Sequence, residues 1–493
     1  MSILKKLAGQ TAVYGLSSIL GRFLNYLLVP LYTGIFQPGA YGVSAWFYAF
    51  ASFGGVMFTY GMETAFFRYV QKSDDQQKVA STAMISLTIS ALVMGSLIFV
   101  LAHPLANWSQ NAGRETYFRF FALILAADAI VTIPFAWLRQ QNEAMRFATI
   151  RLLSIGLNIG LNLFFYLLCP YLLNHGHQWV ANIYNREVGI GYMFIANALS
   201  SVLILPFFVK EFELMKNGFD AELWKKMFNY ALPLIFMGFA GMINETLDRM
   251  LLKHLIVDQS VAEYQTGIYS ANYKLSILIT LFIQAFRMGA EPFFFAKAKD
   301  DDARETYARV MQFFVFVCLT MFLVVMLYLD IFKYLIRKKA YWDGLNVVPI
   351  LLAANICLGV YYNLSVWYKL TDKTRLGALV SIVGVAITLI LNWLWIPTMG
   401  YVGSAWATLI CYFAMAAVSY FLGHRYYPVP YPVQKIGIYA LMAFGIYVLS
   451  DWLHPAITSP FTWQKALTNS VLLFSYIFLI YKMEEKDIKQ LLS

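Results

Sequence analysis

Charge is what this chain has least of. Of its 493 residues, 13% are Asp, Glu, Lys or Arg, about half the roughly 25% usual in a soluble domain. That scarcity excludes a large soluble core under a solvated surface. Cysteine is nearly as sparse. Cys169, Cys318, Cys357 and Cys411 lie singly in apolar stretches, which excludes a disulfide framework and a thiolate metal site. His103, His175, His177, His254, His424 and His454 are scattered through loops and segment ends, so they form no metal cluster. Neither G-x-x-x-x-G-K-[ST] nor H-E-x-x-H occurs, which removes phosphate-loop hydrolysis and zinc-helix proteolysis. Asp300-Asp301-Asp302 has no nucleotide-binding domain around it and reads as a solvated loop run. No metal and no cofactor are expected. Long polar loops are also lacking, and no connection reaches the ~50 residues of a separate domain.

What is present is apolar length. The chain is 60% hydrophobic with a mean hydropathy of +0.60. Ala80–Ala102, Val188–Val209 and Val310–Leu329 carry no charge, and Leu376–Gly423 is uncharged for two crossings with a break near Pro397-Thr-Met-Gly400. Each meets the ~20 apolar residues that a span needs. The N-terminal run is too long for a signal peptide and has no cleavage site, so it reads as a retained first helix. The pattern predicts an all-α polytopic membrane protein with about fourteen spans. An even number puts both termini on one side. Lys and Arg concentrate on that side, which makes it cytoplasmic. The net charge of +10 therefore reports topology and predicts no nucleic-acid partner. One segment breaks the rule: Lys333 to Lys339 is basic yet falls outside.

A weak repeat organises the spans. Gly21-Arg22-Phe23, Tyr41-Gly42-Val43 and Gly61-Met-Glu63 are followed, in the same order and at similar spacing, by Asp248-Arg249-Met250, Thr266-Gly267-Ile268 and Gly289-Ala-Glu291. Six spans separate the copies, so both run in the same direction and their symmetry axis lies along the membrane normal. The simplest division is two pseudo-symmetric six-helix lobes, 1–210 and 225–424, with an extra helix pair at 436–482.

The few charges inside spans are the candidate functional residues. Arg22 is the one charge between Thr11 and Phe36. At bilayer depth a charge costs from ~3 to more than ~10 kcal/mol. Tyr14, Ser18, Arg22 and Asn25 share one helix face, as do Arg151, Ser154, Asn158 and Asn162. Arg249, Lys274 and Arg287 fall in or at the ends of other apolar runs. Four cations on hydrophobic helices point to an internal site for an anion. The acidic candidates are Glu63, Asp128, Glu245, Asp248 and Glu291, either as ion-coupling groups or as charge balance. Plainer readings stand beside these. Glu245 precedes Arg249 by four, the spacing of an intrahelical packing pair. Arg287 has Glu291 one turn on. Glu63 and Arg68 sit near a helix end where side chains snorkel. Asp128 has Thr132 one turn on.

These residues carry a family likeness. Thr246-Leu-Asp-Arg249, Gly267-Ile-Tyr-Ser-Ala271, Lys274-Leu275 and Ala285-Phe286 through Glu291-Pro292 resemble the second-lobe pattern of the Wzx-like O-antigen and capsule flippases. The opening, an internal Arg22, then Tyr41-Gly42, then Gly61-Met-Glu-Thr-Ala-Phe-Phe-Arg68, resembles the same family. The wider group also holds drug exporters of the MATE type and the lipid II flippase. The likeness is specific in the first, second, seventh and eighth spans and elsewhere matches only as hydropathy. It implies a two-lobed transporter, not an enzyme, in a bacterial inner membrane. Its substrate would be an undecaprenyl-diphosphate-linked oligosaccharide, moved to the periplasmic leaflet by alternating access. Arg22, Arg249, Lys274 and Arg287 would face the diphosphate, and other membrane proteins of polysaccharide assembly are the implied protein partners. The alternatives are a lipid II flippase, a MATE-type cation antiporter, which the basic bias opposes, and a membrane polymerase or ligase, which the short outside loops oppose.

Overall fold

The structure is a computed structural model, and it describes residues 19–298, 300–454 and 461–492, excepting the side chains of 486–492. Among them there is no β-strand. The helices are α1 (Ile19–Ile35, interrupted by a turn at Leu27-Leu28), α2 (Pro38–Thr59) and α3 (Met62–Val70). Then come α4 (Gln76–Val100), α5 (Glu115–Gln140), α6 (Ala144–Asn174), α7 (Gly191–Asn217), α8 (Ala221–Leu255) and α9 (Gln259–Lys297). The last six are α10 (Ala303–Leu327), α11 (Lys339–Leu370), α12 (Thr374–Met399), α13 (Tyr401–Tyr426), α14 (Val433–Leu453) and α15 (Trp463–Glu485). Twelve of these, α4 to α15, are long and apolar enough to cross a membrane. The all-α polytopic architecture expected from the sequence is therefore what the chain has. The expected count of fourteen is approximate, because α1 is short and α2 is not among those twelve.

The chain divides into two compact units. The first comprises Met1–Leu28 and Gly39–Glu263, the second Val29–Pro38 and Tyr264–Ser493. The turn at Leu27-Leu28 is thus also where α1 passes from one unit to the other. In the first unit α5 packs on α4 and α7, α6 packs on α7, and α8 packs on α3 and α4. Its core is aromatic. Trp46, Phe47, Phe118, Phe121 and Phe194 are fully buried, and Phe47 meets Phe118 and Phe121 at ring-centroid distances of 4.9 and 5.6 Å. Gly61, with φ of +71°, ends α2 and begins α3 where a side chain would press on the Ala231 carbonyl.

In the second unit α13 packs on α11 and α12, α11 on α9 and α10, and α14 and α15 pack on each other and on α10. The sequence break at Pro397–Gly400 is a tight turn. Gly400 has φ of +57°, a value that L side chains rarely adopt. Gln265 fills the space beside it and accepts a hydrogen bond from the Tyr401 amide at 3.1 Å.

The basic segment Lys333 to Lys339 is partly anchored in the fold. It folds as short helical turns, Lys333–Leu335 and Lys339–Val347, against the C-terminal end of α1. Lys338 Nζ donates to the Ile35 carbonyl at 2.7 Å, the Tyr341 hydroxyl donates to the Phe36 carbonyl at 3.1 Å, and the Arg337 amide donates to Thr33 Oγ1 at 3.2 Å. Cations suit a helix C-terminus, whose carbonyls lack intrahelical partners. Lys333 is buried, with its ammonium 5.0 Å from the Trp342 ring centroid. Burial pulls that ammonium below the ordinary lysine value, opposed by the Asp330 carboxylate. Asp330 in turn pairs with Lys465 on α15 at 3.4 Å, and both side chains are 2% exposed. Lys333 is therefore taken up by the protein interior and Lys338 caps α1, while Arg337 and Lys339 remain exposed.

Removing one member of a buried ion cluster leaves charge without compensation. Asp330→Asn is expected to lower stability by about 3–5 kcal/mol, read as the thermal unfolding midpoint of the purified protein in detergent. An unchanged midpoint would show that water already solvates Lys333 and Lys465. Gly400→Ala is expected to cost about 1–3 kcal/mol through backbone strain, checked in the same assay.

Candidate functional site: charged clusters on the spans

In the first unit Arg22 lies on the N-terminal half of α1. It is exposed, as is Asn25 on the same face, and it forms no ion pair among the described residues. Tyr14 and Ser18, the rest of that stripe, lie outside the described residues. Glu63, in the first turn of α3, pairs with Arg139 at the end of α5. The Arg139 guanidinium also lies 4.9 Å from the Phe67 ring centroid. Glu63 is thus held by a cation from another helix, a partner that sequence spacing could not reveal.

Asp128 projects from the middle of α5. Its carboxylate lies near Ser201 of α7 and in the field of Arg151. Thr132 also reaches Asp128, but its hydroxyl donates to the backbone carbonyl, at 3.0 Å. The polar stripe of α6 meets α7, where Asn158 Nδ2 donates to Ser200 Oγ at 3.3 Å. Asn162, fully buried, donates to the Asn158 carbonyl at 2.8 Å. Asn197 of α7 donates to Tyr48 of α2 at 3.4 Å. α2, α5, α6 and α7 therefore bring Tyr48, Asp128, Arg151, Asn158, Asn197 and Ser201 into one polar seam.

On α8 the i, i+4 spacing suggested a Glu245–Arg249 pair. Arg249 Nη1 instead donates to the neighbouring Asp248 carboxylate at 2.9 Å and to the backbone carbonyl of Glu245 at 2.8 Å. The Arg249 and Asp248 side chains are 13% and 6% exposed. One turn on, Lys253, which the sequence placed in an outside loop, is 1% exposed. It donates to Asn111, pairs with Glu263 at 3.2 Å, and lies 5.6 Å from the Trp46 ring centroid. Arg114 grips the same Glu263 with both terminal nitrogens. Glu263 thus joins two cations whose positions in sequence give no hint of contact.

In the second unit Lys274 opens a short turn within α9 and is exposed. Arg287 lies farther along the same helix. Its guanidinium is 4.6 Å from the Tyr362 ring centroid, and its Nε donates to Glu291 Oε1 at 3.3 Å. Lys369 of α11 donates to that same Oε1. Lys369 and Tyr362 were not singled out in the sequence, because nothing in the spacing between two distant helices marks them. The Arg287 and Glu291 side chains are 47% and 34% exposed. A pair this open contributes only about 0.3–0.5 kcal/mol, so stability does not account for these charges on an apolar helix.

A model of the polysaccharide biosynthesis protein family matches residues 7–297, more than half of the chain. The chain belongs to that family. The helical fold is similar to that of the lipid II flippase MurJ in an inward closed conformation, with a TM-score of 0.72 at 14% identity over 96% of this chain and 98% of that one. It is also similar to an inward-facing multidrug resistance MATE transporter of the MOP superfamily, with a TM-score of 0.63 at 14% identity over 82% and 94% of the two chains. An uncharacterized membrane protein of Methanocaldococcus jannaschii is 23% identical over 84% of this chain and 83% of its own length. The family match covers both the Arg22 and the Arg249–Arg287 stretches, so the residues carrying the sequence resemblance lie inside it. This is a multi-pass membrane protein whose solved structural relatives are transporters.

The two arginine pairs are expected to separate in a stability assay. Asp248→Asn strips a mostly buried guanidinium of its carboxylate and should cost about 3–5 kcal/mol. Arg287→Ala should change stability by about 0.5 kcal/mol or less. Thermal unfolding of the two variants checks this, and equal losses would contradict it.

Proposed function

We propose that this protein moves an undecaprenyl-diphosphate-linked oligosaccharide from the cytoplasmic to the periplasmic leaflet of a bacterial inner membrane, by alternating access and with both termini in the cytoplasm. The observation that carries the reading is Arg22, exposed and without an ion pair among the described residues on an otherwise uncharged helix, in a chain of the polysaccharide biosynthesis family. A diphosphate bearing a glycan cannot cross ~30 Å of hydrocarbon unaided. Guanidinium groups replace its lost hydration with paired, charge-assisted hydrogen bonds. Arg22, Arg249, Lys274 and Arg287 are the groups proposed for that role. The working parts are the lobes 1–210 and 225–424, with the helix pair 436–482 as an addition. The isoprenoid tail stays in the bilayer, and other membrane proteins of polysaccharide assembly supply and receive the substrate.

Glu63, Asp128, Glu245, Asp248 and Glu291 are proposed to balance these cations or to couple transport to an ion. Asp128 is the strongest coupling candidate, since its polar seam offers a carboxylate, a hydroxyl and amides together.

The fold itself favours a second reading, a lipid II flippase, because the similarity to MurJ spans nearly the whole chain. Both substrates are diphosphate lipids, so the same cations would serve either.

The test is trans-bilayer movement of an undecaprenyl-diphosphate glycan in proteoliposomes, with lipid II as a second substrate. Arg22→Ala is expected to lower the rate at least about tenfold, the value of one lost charge-assisted interaction. Wild-type protein that moves neither lipid but exports organic cations would replace this reading with a drug exporter. Imposing pH and sodium gradients separately tests coupling, and indifference to both would remove it.

A further inference from the structure

We propose that Glu291 is an internal occupant of an anion site formed by Arg287, Lys369 and Asn363, and that the substrate diphosphate binds there by displacing it. This rests on the diphosphate-lipid reading above and adds Lys369 and Asn363 to the binding residues.

The charge arithmetic comes first. Arg287 and Lys369 approach one carboxylate oxygen, Glu291 Oε1, from two different helices. Two cations on one carboxylate leave the trio with a net positive charge. The Arg287 guanidinium is also stacked against Tyr362 at 4.6 Å, which holds its plane in place.

Asn363 supplies the second, independent observation. It is 7% exposed, and its Nδ2 has no hydrogen-bond partner among the described residues. A buried amide donor left unpaired is costly. Asn363 lines the same small cavity as Arg287, Glu291 and Tyr362. The site therefore has surplus positive charge and a spare donor, as a phosphate oxygen requires.

Volume decides how an anion would enter. The cavity measures about 10 Å³, room for a single water molecule. No phosphate group fits while Glu291 remains. The carboxylate must swing away, and its release is easy because its side chain is one-third exposed and screened by solvent. Glu291 also precedes Pro292, which sits inside α9 and removes a backbone hydrogen bond from that turn. The carboxylate thus keeps the two cations positioned and excludes weak anions, while a diphosphate with more charge replaces it.

The test is calorimetric binding of inorganic pyrophosphate, and separately of a short-chain prenyl diphosphate, to the full chain in detergent. Glu291→Gln removes the competitor and is expected to tighten binding about tenfold. In that background Lys369→Gln and Asn363→Leu should each weaken binding about tenfold. Glu305→Gln serves as a matched control, since Glu305 pairs with Arg309 at the same i, i+4 spacing on α10. It should leave the affinity at the wild-type value. If Glu291→Gln does not yield folded protein, Glu291→Asp, whose shorter arm cannot hold both cations, should also tighten binding.

An affinity unchanged or weakened by both Glu291 substitutions overturns the proposal. Equal tightening by Glu305→Gln overturns it too, because the effect would then be general charge. Failure of the transport assay with Glu291→Gln still binding pyrophosphate more tightly would sink the lipid-glycan reading and support the anion site.

Discussion

The cost of placing charge in hydrocarbon governs this molecule. A charged group at mid-bilayer must be paired, enclosed by protein or turned towards water. The chain answers by carrying few charges, and each solution occurs within it. Asp330, Lys333 and Lys465 are enclosed together. Arg249 is covered by Asp248 on its own helix. Lys253 and Arg114 share Glu263. Arg22 forms no ion pair among the described residues and is exposed.

Pairing comes in two energetic kinds. The buried pairs hold geometry, and breaking one exposes the remaining charge to a low dielectric. The open cluster of Arg287, Glu291 and Lys369 adds little to stability, yet it keeps two cations and a carboxylate on helices that otherwise avoid charge. Weak, open pairing suits groups that must exchange partners during a transport cycle. Strong, closed pairing occurs at the ends of α8, α9, α10 and α15, where Glu263 and Asp330 tie separate segments together.

Much of the fold was legible in the sequence because membrane insertion is read through local properties. An apolar run of about 20 residues with few or no charges is sufficient evidence of a span. Ala80–Ala102, Val188–Val209, Val310–Leu329 and Leu376–Gly423 carry no charge at all, and the helices α4, α7, α10, α12 and α13 lie on them. The first two spans read from the sequence as single crossings, and the structure breaks the first with a turn at Leu27-Leu28 and ends the second at Gly61. The individual cations were also legible, since an Arg among apolar residues is conspicuous. Their partners were not. Spacing rules reach one turn along a helix, so they offered Glu245 to Arg249 and Thr132 to Asp128. The structure joins Arg249 to the Asp248 carboxylate and the Glu245 carbonyl, and sets Asp128 near Ser201 of another helix.

The sequence by itself determined that this is an all-helical membrane protein with internal cations and no metal or nucleotide motif, because those properties depend on composition and local order. Only the tertiary structure decided which cation meets which carboxylate. Contacts such as Arg139 with Glu63, Lys253 with Asn111, and Lys369 with Glu291 join residues 76, 142 and 78 positions apart. Such contacts arise from the rotation and register of packed helices, and no local pattern encodes those quantities. The basic segment at Lys333 shows the same division of labour. Counted along the chain its cations look alike, and in the fold Lys333 is buried near Asp330 while Lys338 reaches the end of α1.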